Sequence, residues 1–322
     1  MRSKLREACC VIRLVFLLVI GAIVVEVAAD ERRARPPKFN PGQLQGIFFE
    51  DLEQAFPGER PSIASIRASA QAKAVMAARG NSAGSANAQA AVDDPWSDLI
   101  SPVSIEDEVK RVRLHFDSVV TVPAAFNSGG YQDARLDLTI LATLFAVISE
   151  HGGEVRWKDQ AAAARDLVAR TAFNCKAGST QVYNEAKLRK ADLQDLVSGS
   201  GISAREAPEA NDWSSIADRS PLMEYLEQLI DSLEDATRNE ASVRKQPDLI
   251  QRNSELVAML GEVLVQEGMD EADDEDYASL SRSMTEAAKG VTVGLERMDV
   301  DAIRQGASAI RQRCDACHEQ YR

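Results

Sequence analysis

The chain has 322 residues, of which 50 are acidic and 37 are basic, and 45% of its residues are hydrophobic. This length allows one or two domains with tails, and the hydrophobic content is sufficient for a buried core. The acidic excess argues against nucleic acid and anionic lipid as partners and suits docking to basic protein surfaces.

Residues 1–29 predict a signal peptide. A basic start is followed by twelve uninterrupted apolar residues, 14–25, and small residues precede a cleavage point after Ala29. Such a run is too short to span a membrane. We therefore expect export to the periplasm or another extracytoplasmic compartment, with no stable membrane span after cleavage. An uncleaved anchor is the alternative.

Cleavage would remove Cys9 and Cys10 together with four basic and two acidic residues. The mature chain would then carry 33 basic and 48 acidic residues, a net charge of −15. Its three remaining cysteines, Cys175, Cys314 and Cys317, are too few for the disulfide scaffold of a small exported protein.

Residues 30–100 predict a disordered linker. This stretch is basic and Pro-rich at its start, is dominated by Ala and Ser further on, and lacks a wide apolar stripe. The apolar island "IFFEDLEQAF", 47–56, interrupts it and is predicted to be a docking turn.

From residue 101 onward, apolar residues recur at helical spacing, with Ser or Asp before the predicted helices and Gly or Pro at the breaks. Short connections favour antiparallel neighbours. The pattern predicts an all-α fold of two antiparallel four-helix bundles, 101–200 and 217–322, joined by a linker at 201–216. The predicted helices are 104–121, 131–151, 156–174, 178–198, 220–238, 246–267, 272–293 and 298–321.

The two predicted bundles look like duplicated copies. The segment "ILATLFAVISEHGG", 140–153, aligns with "LVAMLGEVLVQEGM", 256–269, with four identical positions and apolar residues at most of the others. Together with the matching order of helices, this alignment favours duplication.

The last predicted helix ends in "RCDACHEQYR", 313–322. Its apolar residues are spaced by four and three, which predicts a seam that faces the bundle core and includes Cys314 and Cys317. His318 follows at once, on the same side as Cys314. From the composition alone, a Cys-x-x-Cys-His match has a chance of about 7 in 10,000.

This spacing suits covalent attachment of a c-type haem, because two thiols can reach two vinyl groups while the adjacent imidazole ligates the iron. Three other interpretations stay open at this point. A Cys314–Cys317 disulfide would sit poorly in a regular helix. A zinc site would need further ligands, and His115 and His151 lie in the other predicted bundle. A redox dithiol would need a helix start, whereas this motif ends a helix.

A four-helix bundle with Cys-x-x-Cys-His at the end of its last helix resembles the class II c-type cytochromes, the cytochrome c-prime family. The resemblance covers 217–322, about a third of the chain. It implies one covalent haem c per chain, attached through Cys314 and Cys317, with His318 as the proximal iron ligand. Residues 101–200 carry no such motif, since "KAGS" follows Cys175, and are predicted to be haem-free.

Met223 is the predicted distal iron ligand. In an up-down bundle, the start of the first helix, the second connection and the end of the last helix lie at one end, where Met269 and Tyr277 are the other candidates. Met223 is favoured because a helix holds it. The soluble b-type four-helix-bundle cytochromes also resemble this region, with an early Met-Glu pair, 223–224, and a His-x-x-x-Arg ending, 318–322. An open or water-filled distal site is the alternative.

These features predict an exported electron-transfer protein, not an enzyme, whose partners are redox proteins with basic docking surfaces; a homodimer stays open. The first alternative is a pentacoordinate haem protein that binds or senses a gas. The second is an envelope interaction protein with an ancillary haem. Three arginines of the last helix are candidates to pair with haem propionates: Arg311, Arg313 and Arg322.

Overall fold

The computed structural model describes residues 94–202 and 207–321. The predicted signal peptide, the predicted docking turn at 47–56 and Arg322 lie outside the described residues. Within them all regular secondary structure is helical and there are no strands, which confirms the all-α prediction. No helix in this part of the chain is both long and apolar enough to cross a membrane.

In the described part of the chain eight long helices follow one another, and their ends lie within four residues of the predicted ones. They are α1 (Pro102–Val119), α2 (Tyr131–Glu150), α3 (Lys158–Asn174), α4 (Thr180–Ser198), α5 (Arg219–Thr237), α6 (Pro247–Val263), α7 (Glu275–Glu296) and α8 (Val300–His318). Shorter helical segments lie between them at Pro123–Ala125, Phe126–Gly130, Trp213–Ile216 and Glu240–Lys245.

Polar side chains fix the starts of several helices. The side chains of Ser101, Ser179, Asp274 and Asp299 accept hydrogen bonds from backbone N–H groups in the first turns of α1, α4, α7 and α8. These bonds satisfy donors that a helix start leaves unpaired. At the other end of α4, Gly199 adopts a φ of 90°, a left-handed conformation that stops the helix at low steric cost.

The helices of each half form a closed ring of neighbours. In the first half, α1 contacts α2 and α4, and α3 contacts α2 and α4. In the second half, α5 contacts α6 and α8, and α7 contacts α6 and α8. The halves also meet, through α2 with α5 and α1 with α6, so the described residues belong to one compact unit.

The described ends of both predicted linkers, 94–100 and 207–216, pack against the core. Trp96, near the end of the 30–100 segment, is 1% exposed, and its Nε1 donates to Glu150 Oε2 at 2.9 Å. In the 201–216 segment, Trp213 is buried and its ring centroid lies 5.9 Å from that of Trp96. Buried Arg165 donates to the Pro208 carbonyl at 2.7 Å. In each described stretch a buried tryptophan and neighbouring aliphatic residues, Ile100 and Ile216, pack against the core.

Candidate cofactor site

The predicted seam of α8 is present in the structure. Ile303 and Ile310 are fully buried, and Cys314 and Cys317 continue the same stripe as half-buried side chains packed against the core. His318 is the last residue of α8 and is exposed. The motif therefore turns its two thiols inward and leaves its imidazole at the solvent edge.

Both thiols and the imidazole open into one pocket of about 460 Å³, a volume that includes its solvent-filled mouth. Its walls come from α5, α7, α8 and the residue after α6, and most of them are apolar. The lining residues are Met223, Leu226, Glu227, Ile230, Leu264, Tyr277, Leu280, Ser281, Met284, Arg313, Cys314, Cys317 and His318.

Met223 lines this pocket together with the Cys-x-x-Cys-His residues. It begins a stripe on α5 that continues through Leu226 and Ile230, at the spacing that keeps side chains on one helix face. Tyr277, a second distal candidate, lines the pocket as well, whereas Met269 is buried but is not among the lining residues. The structure therefore brings the predicted end-of-bundle residues together and leaves Met269 out.

Met284 also lines the pocket, although it was not among the distal candidates named from the sequence. Its Sδ lies 3.5 Å from Cys314 Sγ, and its side chain is almost fully buried. On α7, Ser281 comes four residues after Tyr277, and Met284 comes three residues after Ser281, so all three lie on one face of the helix. That spacing was the available signal for placing Met284 in the pocket.

Two buried donors lie next to each other beside the motif, Tyr277 Oη and Arg219 Nη1, and neither has another hydrogen-bond partner among the described residues. Burial raises the pKa of the Tyr277 hydroxyl, and the nearby positive charge of Arg219 opposes this shift. A buried polar atom without a partner is costly, so such atoms often mark the place of a ligand group. These two donors would suit an acceptor or anionic group at this end of the pocket.

Tyr321, three residues after His318, fastens the end of the motif to α7. Its ring packs edge-on against Tyr277 with centroids 5.2 Å apart. Its hydroxyl donates to Asp274 Oδ1 at 2.8 Å, and this carboxylate raises the pKa of Tyr321 to about 12. Asp274 also caps the start of α7. One carboxylate thus fixes both the start of α7 and the residues after α8.

Arg311 is not free to pair with a cofactor carboxylate. It forms ion pairs with three acidic residues spaced along α5, namely Glu227, Asp231 and Glu234. Hydrogen bonds to Glu234, and then to Glu227 and Asp231, raise its pKa above the ordinary arginine value. Arg313 does line the pocket, so it keeps the role proposed from sequence, whereas Arg311 instead ties α8 to α5.

The thiols of the motif are free and protonated at neutral pH. Burial raises the pKa of Cys314 to about 11, and burial also raises that of Cys317 against the opposing charge of Arg219. Redox dithiols depend on a lowered pKa. In the described part of the chain, no three His, Cys, Asp or Glu side chains cluster as metal ligands. This chemistry suits two neutral thiols that add to an apolar partner.

In protein produced without cofactor attachment, we expect iodoacetamide to modify Cys314 slowly at pH 7. A pKa of about 11, against the ordinary cysteine value of 9.0, leaves roughly a hundredfold less thiolate. The alkylation rate should rise about tenfold per pH unit up to this pKa. Cys175, with a pKa of about 12, is the slower internal control. Rapid modification at pH 7, measured by mass spectrometry, would support a redox dithiol instead.

No family model, curated protein or solved structure matches this chain. The assignment of the site therefore depends on the motif, the pocket and the chemistry of the residues that line it.

Proposed function

We propose that this protein is an exported c-type cytochrome that carries single electrons through one covalently attached haem. The observation that carries the proposal is the pocket itself, where Cys314, Cys317, His318 and Met223 meet. These residues come from two helices, α5 and α8. Met223 and Cys314 are 91 positions apart in the sequence, and only the fold brings them together.

The residues present fit a haem in chemical type. The Cys314 and Cys317 thiols would add across its two vinyl groups, each S–H forming one C–S and one C–H bond. His318 would supply the proximal iron ligand and Met223 the distal one. Apolar walls of leucine, isoleucine and methionine suit the porphyrin faces. The buried donors of Tyr277 and Arg219 would suit its carboxylates.

When bound, the haem would supply a one-electron couple between two iron oxidation states. The chain's own residues would set the conditions for this transfer. Met223 and His318 sit on separate helices that Arg311 ties together through three α5 carboxylates. Ligands held on rigid elements move little, which keeps the rearrangement on electron transfer small. The apolar lining limits water in the pocket, and the exposed His318 edge leaves a short route to a partner.

The simplest test is retention of haem by the purified, exported protein after extraction with acidified acetone. The proposal expects retention and a mass increase of one haem per chain. Haem that extracts freely, or no haem in a host competent for attachment, would reject it. The absorption spectrum of the oxidised and reduced protein, with and without carbon monoxide, then separates electron transfer from gas binding.

Gas binding by a pentacoordinate haem is the second candidate function. The observation that favours it is the Tyr277 hydroxyl, a buried donor on the pocket wall whose neighbour is the Arg219 side chain. Such a hydroxyl could donate a hydrogen bond to a gas bound on the distal side. This candidate requires that Met223 does not ligate the iron, so ligation by Met223 distinguishes the two functions.

The fold is further proposed to be two antiparallel four-helix bundles that arose by duplication. Starts of equivalent helices are offset by 117, 116, 117 and 120 residues from α1–α4 to α5–α8. Contacts between the halves are reciprocal, since α1 meets α6 and α2 meets α5, as in the two-fold interface of a homodimer.

The first half would be the haem-free copy. With the α4-to-α8 offset of 120, Gln194, Val197 and Ser198 occupy the positions of the two cysteines and the histidine. With the α1-to-α5 offset of 117, Glu106 stands in place of Met223. None of the four can attach or ligate a haem in the way that the second half would. One haem per chain is therefore expected.

The expected redox partners have basic docking surfaces. Residues 270–276 read "DEADDED", with six acidic side chains, and this segment leads into Tyr277 on the pocket wall. Clustered charge of one sign steers an oppositely charged partner to the nearby face and raises its association rate. The segment would place this steering field beside the exposed edge of the haem.

Neutralising Asp270, Glu271 and Asp273 to the corresponding amides should slow electron transfer with a basic redox protein about tenfold at low salt, because steering contributes 10-fold or more. Stopped-flow measurements should show the difference vanish at high salt. The matched control neutralises Asp235, Glu240 and Asp248, near the other ends of α5 and α6, and should have little effect. Equal slowing by both triple variants would show that only net charge matters.

A further inference from the structure

Helix α5 is packed on two opposite faces. Its pocket face carries Met223, Leu226 and Ile230. Tyr225 lies two residues after Met223, about 200° around the helix axis. It is buried, and its helix contacts α2 of the first half. The haem-free half therefore packs against the back of the helix that carries the proposed distal ligand.

A buried polar cluster joins the two halves at this point. Glu108 of α1 is 0% exposed, and Arg111 donates to both of its carboxylate oxygens, from Nε at 2.9 and 3.0 Å. Tyr225 Oη donates to Glu108 Oε1 and accepts from Arg111 Nη2, the latter at 2.8 Å. Arg252 of α6 lies 3.5 Å from Glu108. Three side chains, one each from α1, α5 and α6, thus surround one buried carboxylate.

A second polar tie lies two turns earlier on the same side of α5. Asp218, the residue before α5, pairs with Arg135 of α2 and lies 3.9 Å from Lys176 after α3. Asp218 and Tyr225 are seven residues apart, which is about two helical turns, so both lie on the same side of the α5 axis. Together they hold the first two turns of α5, the turns that contain Met223, from behind.

We propose that the haem-free half is a positioning device for the iron site: Glu108 and Arg135 hold α5 from behind, through Tyr225 and Asp218, and so fix Met223 over the pocket. This proposal rests on the proposed haem function for its consequence at the iron. Tyr225 and Asp218 are positioning residues, because neither lines the pocket. In this arrangement the half without a haem motif positions the distal iron ligand of the other half.

The decisive variant is Tyr225→Phe in the full chain. The fold should survive, because Arg111 still donates to both oxygens of Glu108. Hydrogen–deuterium exchange of the amides in 220–226 should become at least fivefold faster. The covalent haem should stay attached, while its high-spin fraction and its rate of carbon monoxide binding rise. Tyr183→Phe is the matched control, since Tyr183 is a buried tyrosine that donates to Thr121 O and does not touch α5.

Asp218→Asn is a second, milder variant, because Asp218 is partly exposed and asparagine is also a good residue before a helix. It should shift exchange and spectrum in the same direction. Exchange and spectra equal to wild type in both variants would overturn the proposal, as would equal changes in Tyr183→Phe. If the wild type carries no covalent haem, the proposed function fails, and the exchange data alone decide whether the first half holds α5.

Discussion

Cys314→Ala combined with Cys317→Ala should abolish retention of haem after extraction with acidified acetone. Both thiols line the same pocket, so the double variant removes both covalent bonds while leaving the apolar walls in place. Haem that still binds should then be lost on extraction, a change from near-complete to background retention. The measurement is the absorbance of the extracted protein, together with its intact mass.

Cys175→Ala is the matched control for this prediction. Cys175 is a free, fully buried thiol in the first half and is outside the pocket, so its loss should leave retention unchanged. Each single variant, Cys314→Ala or Cys317→Ala, should retain haem through the remaining thiol. If the double variant keeps its haem as firmly as wild type does, the motif is not the attachment site.

The second large effect is expected for Met223→Ala. If Met223 is the distal ligand, wild-type protein is low-spin, shows a sulfur-to-iron charge-transfer band in the far red, and resists carbon monoxide. Removing the thioether should turn the iron high-spin, allow rapid carbon monoxide binding and lower the reduction potential, because methionine ligation raises it. Absorption spectra and a redox titration would measure these changes.

Met284→Leu is the control that the structure supplies. Met284 lies in the same pocket but contacts Cys314, and leucine conserves most of its volume. Its spectrum should match wild type. If Met284→Leu turns the iron high-spin and Met223→Ala does not, the distal ligand is Met284. A wild type that is already high-spin and binds gas would reject both assignments and favour the gas-binding function.

Local periodicity was sufficient to predict much of this molecule. The four-and-three spacing on α8 predicted that Cys314 and Cys317 face inward, and both line the pocket. Chain topology predicted that Met223 and Tyr277 lie at the level of His318, and all three line the pocket. Helix ends were predicted within four residues, although the start of α7, which Asp274 caps, was predicted three residues too early.

Features that depend on contacts distant in sequence were not predictable in this way. Nothing in the pattern around Glu108 indicates that Tyr225, 117 positions later, satisfies its carboxylate. Averaged composition concealed Trp96, because one aromatic residue outweighs many polar neighbours in packing energy. The sequence alone suggested that Arg311 is available to a haem propionate. Only the fold shows that three carboxylates of α5 surround it.

The contact between Glu108 and Tyr225 also constrains how the two halves can associate. Under the proposed duplication, with the α1-to-α5 offset of 117, these two residues occupy equivalent positions, beside the axis where a symmetric pair places each residue opposite its own copy. Two identical halves would oppose either two buried carboxylates, which repel, or two phenols. When both copies belong to one chain, the two equivalent positions can change independently. One can then carry a donor, the Tyr225 hydroxyl, and the other an acceptor, the Glu108 carboxylate. Such a pair favours association of unlike halves within one molecule and penalises exchange of like halves between molecules.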